Sequence, residues 1–232
     1  MQTNIVIHWD CLEEMKKIPD GSIDAIITDP PYWTTACKWD SVIDFDLMWK
    51  ELKRIIKPNG AIVLFGSEPF SSALRMSNIK QYKYDWIWEK TNSTGFQLAN
   101  KRPLKKQENI SVFFNKQSIY NPQWLQSYNK VNKRWGMWDN WSEMWKNEYI
   151  QEFTNYPTNI LKFWYDKEKI HSTQKPVALI EYLIKTYTNE WETVLDFTAW
   201  SGTTWVACRN TGRNYILIEK DAWYIEIIKN RL

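Results

Sequence analysis

A chain of 232 residues, 44% hydrophobic and 25% charged, is long enough for one domain with a full core, and its apolar runs fall far short of a bilayer span, so no segment crosses a bilayer and no membrane partner is expected. Three cysteines (Cys11, Cys37, Cys208) and two histidines (His8, His171) make neither a disulfide framework nor a metal-ligand spacing, so no structural metal is expected. The net charge of +3 and a pI near 8.6 suit a nucleic-acid partner without requiring one, and residues 1–10 lack the basic start and apolar stretch of an export signal, which makes the cytoplasm the expected location.

Residues 4–8 read as a short apolar strand, and 11–18 as a helix with Leu12, Met15 and Ile18 inward, stopped by Pro19, Asp20 and Gly21. Ile23–Thr28 is the next strand, and 46–57 has the spacing of an amphipathic helix ended by Pro58, Asn59 and Gly60. A strand at 61–65, a helix at Phe70–Ser77 and strands at 82–89 and 110–115 follow, the last reached through a basic loop that holds Lys101, Arg102, Lys105 and Lys106. From about 116 to 170 the periodicity fails and Asn, Lys, Tyr and Trp dominate, which marks a recognition region inserted into a single domain spanning 1–232. Pro176 then opens a helix with Val177, Ile180, Leu183, Ile184 and Tyr187 on one face. A strand at 193–197, a helix at Thr203–Thr211 closed by Gly212, a strand at 215–218 and a helix capped by Asp221 complete the chain. This alternation predicts an α/β fold, with a mostly parallel seven-stranded sheet covered on both faces.

The last strand-helix-strand unit has the form of a nucleotide-binding half. Asp196 and Glu219 stand 23 residues apart, close to the spacing at which an acid after the second strand reaches ribose hydroxyls. Ser201 and Gly202 offer backbone N–H groups at a helix start, although a plain turn feeding a helix has the same residues. Asp29, Pro30, Pro31 and Tyr32 are more specific. A carboxylate and a proline carbonyl at the end of an apolar strand can accept both hydrogens of an amino group and leave its lone pair free. The two prolines fix the backbone that aims them, and Tyr32 can stack on the ring that carries the amine.

With these residues the chain resembles the DNA amino-methyltransferases in which an Asp-Pro-Pro-Tyr motif precedes the cofactor loop. The resemblance runs through Asp10, Cys11 and Leu12, residues 28–32, 94–108, 171–179 and 196–204, and Glu219, Lys220 and Asp221. It implies a Rossmann-like fold of permuted order, with the cofactor half at the C-terminus and S-adenosylmethionine as methyl donor. The implied substrate is double-stranded DNA, with N6 of a flipped adenine as acceptor and N4 of cytosine as the alternative. By that resemblance Asp29 and the Pro30 carbonyl hold the amino group, Pro31 stiffens the turn and Tyr32 stacks on the base. Asp10 and Cys11 belong to the cofactor's adenine end and Glu219 to its ribose. Lys175, Asp196, Phe197, Thr198, Ser201, Gly202, Thr203 and Thr204 belong to its methionine end. Lys101, Arg102, Lys105 and Lys106 would grip phosphates. The family leaves room for a cognate restriction endonuclease and for a homodimer. On the residues alone, Asp10 serves equally as a helix cap, Lys175 as an exposed helix-start charge, His171 as a structural residue and 94–106 as a solvated surface.

One feature of the composition departs from that pattern. Average usage of about 7% would give roughly 16 Gly, yet there are 7 Gly and 16 Trp. Trp200 stands beside Ser201 where the family's loop has Gly, and its indole would enter the space of the methionine moiety; if that Trp is genuine, a DNA-binding homologue without catalysis is the expected outcome. Trp191 and Trp205 stand at similar positions, and Trp9, Trp33, Trp138, Trp141, Trp145 and Trp223 share the anomaly more mildly. The expectation is that many of these are glycine in the native protein, encoded by UGA, whereas Trp86 and Trp88 in their strand are genuine.

Overall fold

The computed structural model describes residues 1–32, 43–133, 148–167, 170 and 174–231. Trp33, Cys37, Trp138, Trp141, Trp145 and His171 lie outside them. Two compact units are present, one of residues 1–121 with 159–232 and a second of residues 122–158. The second unit lies inside the segment 116–170 and holds an antiparallel pair, β6 (Gln126–Lys133) and β7 (Glu148–Thr154), where the sequence showed no periodicity.

The first unit carries β1 (Ile5–His8), α1 (Cys11–Met15), β2 (Ile23–Thr28), α2 (Phe45–Ile55), β3 (Ile56–Gly66), α3 (Phe70–Ser77), β4 (Tyr82–Thr94) and β5 (Lys105–Phe113). After the second unit come β8 (Ile160–Lys162), α4 (Val177–Tyr187), β9 (Thr193–Asp196), α5 (Thr203–Thr211), β10 (Asn214–Glu219) and α6 (Ala222–Arg231). Its sheet has the order β1-β10-β9-β2-β3-β5-β4-β8. All neighbours are parallel except β3 with β5 and β5 with β4. The mostly parallel α/β architecture is the expected one, but the sheet has eight strands where seven were expected. The eighth, β8, is a three-residue edge strand too short to show a period.

The central strands are wholly buried, as parallel strands covered on both faces must be. Alternate residues go to opposite cores. Ala25, Ile27, Ala61, Val63 and Phe65 meet Leu179, Leu183 and Tyr187 of α4 on one face, while Ile26, Ile62 and Leu64 meet Met48, Leu52, Ile55 and Leu74 on the other, joined by Ile23 from before the register shift in β2. Asp44 caps α2 by accepting Leu47 N–H at 3.0 Å, and Asp221 caps α6 by accepting Trp223 N–H at 2.8 Å. β3 starts at Ile56 and β5 at Lys105, both earlier than the apolar runs suggested. No helix among the described residues is long and apolar enough to cross a membrane.

Trp86 and Trp88 are buried in β4, with indole N–H groups donating to Tyr187 Oη (2.7 Å) and to the Phe163 carbonyl (3.2 Å). Trp205 is also buried, packed with Ala199, Leu217 and Ile228, so the fold accommodates it. Trp124, Trp191 and Trp200 differ: their φ angles are 64°, 67° and 46°, in the left-handed region that costs a bulky residue about 1–3 kcal/mol.

Candidate functional site

From β9 the chain proceeds outward to β10, and from β2 outward to β3, so adjacent parallel strands diverge in opposite directions. Such a divergence opens a crevice at the carboxyl ends of the strands, where open α/β sheets bind ligands. The turn Asp29, Pro30, Pro31, Tyr32 follows β2 into this crevice, and the loop from Phe197 to Gly202 enters it from β9. A short clip joins them. Thr28 Oγ1 donates to Asp196 Oδ1 at 2.5 Å, and the single hydroxyl proton of Thr198 is divided between Thr28 Oγ1 at 2.7 Å and the Asp29 carbonyl at 3.1 Å.

Asp29 is held from both sides. Its Oδ1 accepts the Tyr32 hydroxyl, and its Oδ2 lies 2.5 Å from Lys175 Nζ. Burial raises its carboxyl above the usual range, against the pull of Lys175. Each carboxylate oxygen still has a lone pair to offer an incoming amino group. The Tyr32 ring rests on Phe70, with centroids 5.1 Å apart. Lys175 is buried, which sets aside the reading of it as an exposed helix-start charge; burial alone would lower its pKa, but Asp29 and Glu108 raise it well above the ordinary lysine range. Glu108, on β5, lies with Oε2 3.2 Å from Lys175.

Asp196 is buried and pushed up to about 6 by burial, although the Thr204 hydroxyl at 2.6 Å and the Thr28 hydroxyl favour its charged form. With Asp29, Lys175, Ser201, Thr203 and Thr204 it lines a small cavity of about 30 Å³.

A larger cavity of about 420 Å³ lies beyond, lined by Asp10, Cys11, Phe197, Thr198, Glu219 and Tyr224 among others. Its volume is in the range of small-ligand sites. Glu219 ends β10 with its carboxylate fixed by backbone N–H groups, from Trp200 at 2.8 Å to Oε2 and from Lys220 and Asp221 at 2.9 Å to Oε1. Burial raises the pKa of Glu219 in spite of these bonds. Asp10 caps α1, accepting Leu12 N–H at 3.0 Å, and also faces the cavity beside Lys220, 3.1 Å away. An acid at the end of the second strand, a second acid opposite and aromatic walls suit a nucleoside. Cys11 is half-buried there, its thiol pushed up to about 12 by burial and the adjacent Asp10, so it acts as a neutral wall. Gly202 is left-handed at φ 75° and opens α5.

Trp200 lines both cavities. Its indole N–H donates to the Asp29 carbonyl at 2.7 Å, which lays the ring along the boundary between them.

The four basic residues separate. Lys101 and Arg102 are exposed in the turn after a 3₁₀ helix at Phe96–Leu98. Lys105 and Lys106 belong to β5, where Lys105 bonds the Ser67 hydroxyl and Lys106 pairs with Glu89 at 3.1 Å. Two residues of the site escaped sequence reasoning. Lys90 and Glu108 are charges on inward strand positions, in register with Trp86 and Trp88 on β4 and with Ile110 and Val112 on β5. That alternation of period two was the available signal.

The N6/N4 DNA methylase family model matches residues 23–230. The type II methyltransferase M.HinfI of Haemophilus influenzae is 30% identical over 266 residues, covering 99% of this chain and 68% of its own. The type II methyltransferase M.HpaI of Haemophilus parainfluenzae is 29% identical, covering 98% of this chain and 73% of its own. Among solved structures, the complex of M1.HpyAVI with S-adenosylmethionine matches with a TM-score of 0.65 at 28% identity over 98% of both chains. The cytosine-N4-specific PvuII DNA methyltransferase matches with a TM-score of 0.72 at 16% identity over 100% of this chain and 87% of its own, a likeness of fold.

Proposed function

The chain belongs to the N6/N4 DNA methylase family, and on that premise we propose that it methylates the exocyclic amino group of a base flipped out of duplex DNA, with N6 of adenine as the acceptor. The observation that carries this reading is Asp29, ionisable and half-buried at the carboxyl end of β2, clipped to the cofactor-side loop through Thr198. S-adenosylmethionine, when bound, supplies an electrophilic methyl carbon. Asp10 and Glu219 would hold its nucleoside portion in the larger cavity, and Asp196, Ser201, Thr203 and Thr204 border the path toward Asp29.

Asp29 and the Pro30 carbonyl accept the two hydrogens of the base's amino group. This turns the nitrogen lone pair away from both acceptors and withdraws it from the ring. No base is needed beforehand, because a neutral amine carries its own nucleophilic pair. The surplus proton on nitrogen then has Asp29 as its nearest acceptor, and burial makes that carboxylate more basic than one in water. Tyr32 releases its bond to Asp29 when the base enters and stacks on the base. Lys101 and Arg102 take phosphates, and the segment 116–170 chooses the target sequence.

Asp29→Ala is expected to lower the single-turnover rate of methyl transfer by about 10²–10³-fold, the loss typical of removing one oriented polar contact to reacting atoms. DNA affinity should stay near that of the parent. An undiminished rate on duplex oligonucleotides would end the proposal. Nucleoside mass spectrometry of the product assigns the acceptor: N6-methyladenine is expected, and N4-methylcytosine in its place would move the assignment to cytosine.

A further inference from the structure

Behind Asp29, four charges alternate in sign. Lys175 Nζ bridges Asp29 Oδ2 and Glu108 Oε2, and Lys90 Nζ lies 3.3 Å from Glu108 Oε1. The Lys90 and Lys175 side chains are 5% and 9% exposed, and Glu108 only 17%. Two cations and two carboxylates sum to zero, which is how a low-dielectric interior tolerates charges at this depth. We propose that Glu108 and Lys90 are positioning residues that act through Lys175 to aim Asp29 and to set how readily it takes up a proton, Glu108 favouring uptake and Lys90 opposing it.

Burial alone would raise the Glu108 carboxyl, yet Lys175 and Lys90 hold it below the usual range, so Glu108 is a standing negative charge. Its Oε2 lies 3.2 Å from Lys175 Nζ, whose ammonium has three donors and so ties Glu108 and Asp29 together at one nitrogen. Lys175 Nζ also sits 5.2 Å from the Phe65 ring centroid and 5.9 Å from that of Tyr32, which confine it further. The charged and titratable groups facing this string are Tyr32, Asp196, Lys105 and Tyr165. All four stay in place in the variants below. The inference rests on the methyl-transfer reading for its purpose, but not for its test.

The test is a carbon-13 NMR titration of the Asp29 carboxyl in the full chain without DNA or cofactor, with D29N identifying the signal. In E108Q, Asp29 keeps Lys175 and loses a neighbouring negative charge, so its midpoint is expected to fall by about one pH unit or more. In K175M two carboxylates face each other without their cation, and the midpoint is expected to rise by a similar amount. K175R keeps the charge and should titrate like the parent, while K90M should raise the midpoint by less than K175M. Opposite movement in E108Q and K175M is what a packing role does not produce. Movement in the same direction, or none, overturns the proposal. Undiminished methyl transfer by Asp29→Ala instead sinks the functional reading and leaves the titration result intact.

A second inference stands on the backbone. The described residues with positive φ comprise Gly21, Gly95, Gly202 and Gly212, then Asn4, Asn129 and Asn155, then Trp124, Trp191 and Trp200. Glycine lacks the Cβ that penalises this region, and asparagine offsets the penalty with local hydrogen bonds. Tryptophan has neither recourse, and Trp124 and Trp191 are more than half exposed, so no core packing explains their side chains. We infer that residues 124, 191 and 200 are glycines in the native chain, encoded by UGA. At 200, glycine would remove the wall shared by the two cavities. Peptide mass spectrometry on the protein from its own cells is expected to give glycine masses at all three positions, with UGA in the messenger. Tryptophan masses or UGG codons there overturn the inference. Calorimetry adds the consequence: W200G is expected to bind S-adenosylmethionine at least about tenfold more tightly than the Trp200 form, and equal affinity overturns the role of the indole as a wall.

Discussion

Asp196 shows how a single residue of the site is maintained against the stability of the fold. Its carboxyl is buried at the end of β9, with only hydroxyl and amide partners, and titrates near 6 where an unfolded chain would titrate near 3.8. Below the lower value it is protonated in both states and has no effect. Between the two, the unfolded chain ionises first, so stability falls as pH rises through about 6 and the loss is complete above it. Asp196→Asn removes that penalty. The variant is expected to gain on the order of 1–3 kcal/mol over the parent at pH 7.5, and little at pH 4, in urea unfolding curves. A gain of equal size at both values would show that packing, and not charge, is responsible. A group kept at such a cost is characteristic of a functional site, and the Thr28 hydroxyl ties Asp196 to the residue that precedes Asp29.

At the scale of elements, the site depends on how closely β2 and β3 run. A Cβ built on Gly60 would lie 2.6 Å from the Asp24 carbonyl and as near to the Ile56 side chain, within β3 where its pairing with β2 shifts register. Asp24 also ties this corner to β9 by accepting Thr193 N–H at 2.9 Å. Gly60→Ala is therefore expected to cost about 1–3 kcal/mol in thermal or urea unfolding, and to lower DNA methylation only through the folded fraction. The strand Ile23–Thr28 and the helices Phe70–Ser77 and Thr203–Thr211 were legible in the sequence because apolar runs, a terminating Gly and helical spacing agreed there. The early start of β3 was not, since Pro58, Asn59 and Gly60 read as the end of a helix although they lie within an extended strand. β6 and β7 were illegible for another reason: exposed residues dominate β7, so no apolar alternation exists to be read. The positions of the acids around the crevice were legible from motif and spacing. Glu108, the second partner of Lys175, and Lys90 behind it were not, because a charge in a strand is normally read as solvated.

At the scale of the whole molecule, a net charge of +3 is too small to hold DNA by bulk attraction, so affinity must come from where the cations stand. Most inward or strand-bound cations are committed. Lys175 and Lys90 hold carboxylates, Lys57 holds Asp24 at 2.5 Å, Arg54 reaches Asp20 at 2.5 Å and Glu51 at 2.7 Å, and Lys106 is engaged by Glu89. Lys101 and Arg102 instead project from the turn between β4 and β5, on an exposed stretch. Contacts of this kind are sequence-independent and release condensed counterions, so each should add roughly 0.9 to the salt slope of binding. Replacing both by Ala is expected to weaken binding to cognate and unrelated duplexes by similar factors and to flatten log K against log salt by about 2. Fluorescence anisotropy at several salt concentrations measures both quantities. A loss confined to the cognate duplex would instead assign this turn to base recognition, and an unchanged slope would remove it from the DNA surface.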